Sequence, residues 1–84
     1  MALLNLEIIS PSGVVFKGQC HMVVVPSAAG EVGVMHGHES IIASLREGQI
    51  AIYDEKQEVV KTFDVHSGFA EMHGEDKLVV LLDS

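Results

Sequence analysis

An all-β domain, built as a sandwich or a barrel, is what this sequence predicts, and three observations carry the expectation. Turn-forming residues punctuate the chain roughly every 8–12 positions. Two stretches, Leu4–Ile8 and Gln49–Tyr53, alternate apolar and polar residues with a period of two. The closing stretch Lys77–Leu82 is almost continuously apolar, as befits a strand covered on both faces.

The elements follow in order. Leu4-Asn5-Leu6-Glu7-Ile8 places Leu4, Leu6 and Ile8 on one face, and Ser10-Pro11-Ser12-Gly13 breaks the strand. Val14–Phe16 forms the next strand, ended by Lys17-Gly18. His21–Val25 is rich in β-branched residues and closes at Pro26, with Ser27–Gly30 as a turn or loop. Between Gly37 and Gly48, the segment Glu39–Glu47 carries Ile41, Ile42 and Leu45 at a spacing that also suits one helical face; strand is preferred. Gln49–Tyr53 and Glu58–Val65 form a hairpin over the polar tip Asp54–Gln57. Gly68 breaks the chain again, Phe69–Met72 is a short strand, His73–Asp76 a turn, and Lys77–Leu82 the last strand.

With 84 residues the chain is one small domain, 1–84. A chain of that size buries only ~60–65% of its unfolded surface, which leaves no room for a deep private cavity. An apolar fraction of 48% is sufficient for a packed core. Twelve acids against five Lys and Arg give a formal charge of −7. Such a surface repels phosphate backbones, so nucleic acid is not an expected partner, and a basic protein surface is. Cys20 has no second cysteine to pair with, which fits a reducing compartment. Met1-Ala2-Leu3-Leu4 lacks a charged leader, and a secretory signal is not expected. The longest apolar runs are far short of the ~20 residues of a membrane span, so a soluble chain is expected.

The densest motif is Gly30-Glu31-Val32-Gly33-Val34-Met35-His36-Gly37-His38. Glycines at this density imply unusual backbone or the close approach of another surface. His36 and His38, two apart, would share one face of a strand and could reach one metal. Gly30, five residues and His-x-His also match the opening of the cupin metal motif, which gives an alternative reading as a small metal-binding enzyme using His36 and His38, with His66 as the candidate third nitrogen. The glutamate that motif requires next is absent, since Ile42 and Ala43 stand there. Histidines in a glycine turn, bonded to neighbouring backbone, are the plainer reading. Cys20 and His21 are adjacent and point to opposite faces, which spoils a nucleophile–base dyad. Glu31 and Glu39 make no convincing acid–base pair, and no glycine loop is followed by Lys-Ser or Lys-Thr. The residues alone describe a non-catalytic β-domain with one special surface.

An ordered set of short motifs then spans the chain. Leu6–Pro11, Phe16-Lys17-Gly18, Val24-Val25-Pro26, Gly30–Val34, Gly37-His38 with Ile41, Ile42, Leu45 and Gly48, Phe63–Met72 and Leu78–Asp83 follow one another in register. In this the sequence resembles the epsilon subunit of the F-type ATP synthase, in that subunit's N-terminal β-sandwich. It departs from the family at His36, where proline is usual, and at Glu39-Ser40, where Ala-Pro is usual. Most members carry a helical hairpin after the sandwich, whereas this sequence stops at Ser84. The resemblance implies a flattened sandwich of about ten short strands in two sheets. It implies a rotor part of the central stalk that is non-catalytic and has no cofactor. The gamma subunit, the c-subunit ring and the alpha/beta catalytic head would be its partners, on the cytoplasmic face of the bacterial inner membrane. The family's gamma-facing surface aligns with Ser10, His38, Ile41, Ile42 and Ala43, and its ring-facing loop with Glu31, Val32, Gly33 and Val34. Most of the holding energy is expected from an apolar patch near Val34, Met35, Ile41 and Ile42.

Overall fold

The computed structural model describes residues 2–83 and is all-β; Met1 and Ser84, and with them the expected close of the domain at Ser84, lie outside the described residues. Its strands are β1 (Leu4–Ser10), β2 (Gly13–Cys20), β3 (Met22–Ser27), β4 (Gly30–Met35), β5 (Ile42–Leu45), β6 (Gly48–Tyr53), β7 (Val59–Val65), β8 (Gly68–His73) and β9 (Lys77–Leu82). No helix among the described residues is long and apolar enough to cross a membrane. The ambiguous segment after Gly37 is irregular as far as Ile41 and then a strand.

Hydrogen bonding runs in one path, β2-β1-β9-β8-β5-β3-β6-β7, with β4 on the free edge of β3. Nine strands among the described residues agree with the expected count of about ten, and the two expected sheets are joined through β5. The joint is β5, which pairs with β8 along its length and with β3 only through Ser27 opposite Leu45. β3 changes partner there, from β6 at Met22–Val24 to β5 at Ser27. Pro26 falls at the changeover, where a missing ladder donor costs least. β1 and β9 pair in parallel, while the other pairs are antiparallel.

The inner faces of both halves share one core. Leu4, Leu6 and Ile8 of β1 meet Val23 and Val25 of β3, Ile50 and Ile52 of β6, and Leu78 and Val80 of β9. Alternation dictates this, because every second residue of a strand faces the same way. Lys17-Gly18, expected to end β2, instead lies inside it: Gly18 pairs with Leu6, and the Phe16 ring covers the place where its side chain would be. Pro26 likewise sits within β3 and does not close it.

The curled sheet ends in β2 on one side and β7 on the other. Both strands carry a bulge, at Ile8/Ile9 opposite β2 and at Ile52/Tyr53 opposite β7. Bulges on edge strands oppose pairing with foreign strands. A groove of about 330 Å³, lined in part by Leu3, Cys20 and Val60, opens between these ends.

Candidate functional site

The glycine-rich motif is a strand followed by a turn. β4 is an edge strand, paired only with β3, so the expected ring-facing loop is regular backbone. Alternation splits its residues. Glu31 and Gly33 face solvent, whereas Val32 packs on the core and Val34 is 0% exposed. A burial of that kind leaves Val34 only its backbone to offer a partner, and it removes Val34 from the expected apolar patch. Met35, 42% exposed, stays in reach.

Beyond β4 the chain turns at His36-Gly37, where Gly37 has φ +87°. That left-handed conformation suits glycine and explains why it stands between the histidines. Gly37 N–H donates to the Glu75 carbonyl at 2.7 Å, tying this turn to the β8–β9 turn. His38 N–H donates to the Met35 carbonyl at 3.1 Å, and its ring Nδ1 lies 2.8 Å from the Glu39 carbonyl. A carbonyl can only accept, so Nδ1 carries the proton. His36 and His38 are therefore not on a strand, and the shared face they needed for a metal does not exist. His66 is elsewhere, with Nδ1 3.4 Å from Glu47 Oε2 on the surface. Among the described residues no three His, Cys, Asp or Glu side chains gather as a metal site would require.

In the next segment alternation divides the expected shaft-facing residues in the same way. Ile42 is 74% exposed, while Ile41 and Ala43 pack against the core. Ile41 also uses its carbonyl, which accepts Met72 N–H at 3.0 Å. An open groove of about 460 Å³ lies over Ser40, Ile41, Ile42, Glu71 and Met72. Ser10 ends β1, and its hydroxyl bonds Ser12 and the Gly13 carbonyl within the β1–β2 turn. Ser10 and His38 thus lie at opposite ends of one half of the sheet.

Side chains that sequence reasoning did not single out form rows across the sheet between Ser10 and Ile42. On the outer face of β5, β8, β9, β1 and β2, register aligns Ser44, Phe69, Leu81, Ile9 and Val14 in one row. Phe69, Leu81 and Val14 are exposed. A second row runs Ile42, Glu71, Val79, Glu7 and Lys17. In it Lys77 Nζ reaches across to Glu7 Oε1 at 3.6 Å, and His73 Nε2 lies 3.2 Å from Glu71 Oε1. The result is an apolar band through Phe69, Leu81, Ile9 and Val14, bordered by the second row, in which Ile42 stands at the β5 end and Glu7 pairs with Lys77. A readable signal existed in β8, whose apolar–polar alternation puts an aromatic residue in its outward phase.

Cys20 is buried, and desolvation pushes its thiol above the ordinary value of 9.0. A thiol held protonated is a poor nucleophile.

Comparison with known proteins gives the setting for these surfaces. Residues 3–84 match the family model described as the ATP synthase, Delta/Epsilon chain, beta-sandwich domain. The chain is 42% identical over 81 residues to the ATP synthase epsilon chain of Campylobacter lari, covering 94% of this chain and 59% of that one. Against the epsilon chain of Parvibaculum lavamentivorans it is 39% identical over 69 residues, covering 82% and 52%. Against that of Caulobacter vibrioides it is 34% identical over 83 residues, covering 99% and 93%. The first two of these relatives are thus matched over little more than half their length. In fold, the chain superposes with a TM-score of 0.88 and 18% identity on a chain in the cryo-EM structure of the Euglena gracilis mitochondrial ATP synthase, covering all of this chain and 52% of that one. A chain in the central stalk and c-ring structure of the Tetrahymena thermophila mitochondrial ATP synthase gives 0.77 at 10% identity, covering 96% and 63%.

Proposed function

The chain belongs to the delta/epsilon β-sandwich family of ATP synthase subunits, and from that premise we propose that it is a central-stalk rotor part, non-catalytic by itself, that locks the gamma subunit to the c-ring. Rotation driven by proton flow would then reach the alpha/beta catalytic head without slip. Its place would be the cytoplasmic face of the bacterial inner membrane, held there by its partners.

The observation that carries this reading is the apolar band. Ser10 and Ile42, far apart in sequence, stand at either side of a continuous row through Phe69, Leu81 and Ile9. A sheet face bearing an exposed aromatic and aliphatic row is suited to a large, stiff protein partner, and we assign it to gamma. Burying such a row supplies affinity at ~25 cal/mol per Å² of apolar area, before the costs of association. Glu31 and Gly33 lie on another strand, and we assign them to the ring. There a carboxylate meets polar loops; such exposed pairs contribute only ~0–1 kcal/mol each and set register more than affinity.

The test is capture from solubilised membranes of the native host. An affinity-tagged chain should retain gamma and c subunits together. Retention of neither would overturn the proposal, and retention of the ring with gamma absent would remove the band from the shaft interface.

A further inference from the structure

β4, which carries Glu31, and β5, the strand at which the gamma-facing half of the sheet begins, are both hydrogen-bonded to β3. β4 follows it through a two-residue turn, Ala28-Ala29, in which Ser27 pairs with Gly30. β5 meets it from the opposite edge at the same residue, Ser27 opposite Leu45. The only buried polar side chain among the described residues sits at this crossing: Ser27 is 5% exposed. Its hydroxyl donates to the Gly30 carbonyl at 2.5 Å and accepts Ala29 N–H at 3.2 Å, filling the inside of the turn. Two backbone bonds brace the same turn from the β5 side. Ala28 N–H donates to the Ser44 carbonyl at 2.8 Å, and Arg46 N–H donates to the Pro26 carbonyl at 2.9 Å. Packing is tight as well, since a Cβ on Gly48 would lie 2.9 Å from that of Pro26.

A two-residue hairpin on a sheet edge ordinarily rocks about its strands. Here rocking β4 relative to β5 breaks the two backbone bonds to β5 and strains the part-buried bonds of the Ser27 hydroxyl. We propose that Ser27 is a positioning residue, and that the crossing it anchors is the strut which fixes the angle between Glu31 on β4 and Ile42 on β5. The inference rests on the rotor reading above. On that reading, load entering at Glu31 passes to the gamma-facing strand by crossing only β3.

The test uses two variants of nearly equal shape, Ser27→Thr, which keeps the hydroxyl, and Ser27→Val, which loses it. Amide exchange at Ala29, whose N–H the hydroxyl accepts, should be about tenfold faster in S27V than in S27T, the effect of one hydrogen bond. Membranes carrying each variant in the assembled synthase should bind gamma and ring alike. The ratio of ATP-driven proton pumping to ATP hydrolysis should fall in S27V and be preserved in S27T. Equal exchange in the two variants overturns the role of Ser27. Unequal exchange with equal pumping ratios overturns the strut. If the wild-type chain binds neither partner, the rotor reading falls and the strut with it, an outcome visible before any variant is compared.

Discussion

Phe16 and Phe63 meet edge to face, with ring centroids 5.8 Å apart and planes at 60°. They come from β2 and β7, the two ends of the sheet path. Their contact closes by side chains a curl that no backbone pairing closes. Lys61 Nζ stands 6.0 Å from the Phe16 centroid and 5.7 Å from that of Phe63, capping the pair with a cation. The arrangement lets two bulged edges lie near one another without hydrogen bonding.

That clasp should be measurable. Replacing each phenylalanine by leucine, singly and together, gives a double-mutant cycle in urea unfolding. A coupling of about 0.5–1.5 kcal/mol is expected, as for aromatic pairs elsewhere. Additive losses would mean that the rings act as separate hydrophobic groups.

Gly68 admits no side chain. A Cβ there would run into the Leu81 carbonyl oxygen, and the backbone is at φ +154°. Backbone atoms of β9 cannot yield without breaking the β8–β9 ladder. Gly68→Ala should therefore cost more than ~3 kcal/mol, read as a lower denaturation midpoint or loss of soluble protein. A midpoint near that of the wild type would show that β9 shifts freely.

The band and β4 should separate by function. Phe69→Asp touches an exposed residue, so stability should change by less than ~0.5 kcal/mol, while gamma capture falls by about thirtyfold if Phe69 is a central anchor. Glu31→Lys should weaken ring retention and leave gamma binding nearly intact. Equal loss of both partners in either variant would show the two faces to be drawn wrongly.

Cys20 should impose an alkaline limit. Its folded thiol ionises above the 9.0 of an unfolded one, because burial penalises the thiolate. The stabilisation is complete below pH 9 and is lost as the pH rises from there toward and through the folded value. Thermal unfolding between pH 8 and 10.5 should show a steeper loss in the wild type than in Cys20→Val, which has nothing to ionise at that position. Parallel curves would place the alkaline sensitivity in other groups.

Much of this was legible. β1, β6 and β9 announce themselves because Leu4–Ile8, Gln49–Tyr53 and Lys77–Leu82 have clear patterns, and their inward residues are the observed core. β4 was hidden, since Gly30 and Gly33 dilute the β-branched signal and read as loop. The crossing at Ser27 was beyond reach, because a single pair with Leu45 leaves no periodic trace. At the site, a run of consecutive residues such as Ile41-Ile42-Ala43 reads as one surface in sequence, but in an extended strand it is divided between two faces. Phe69, Leu81 and Ile9 become neighbours only through register, which a single sequence does not specify.

The parallel pairing of β1 with β9 has a further effect, on the order in which the molecule can be made. Leu4, Leu6 and Ile8 are made before the other strands of this domain, yet one flank of their strand waits for Asn5 to meet Lys77 and Ile9 to meet Leu81. No earlier segment supplies that flank, so a nascent chain holds sticky, half-covered apolar backbone until nearly all of the domain has been translated. A chain that stops short of Lys77 would leave that flank of β1 unpaired, and its apolar face open to aggregation.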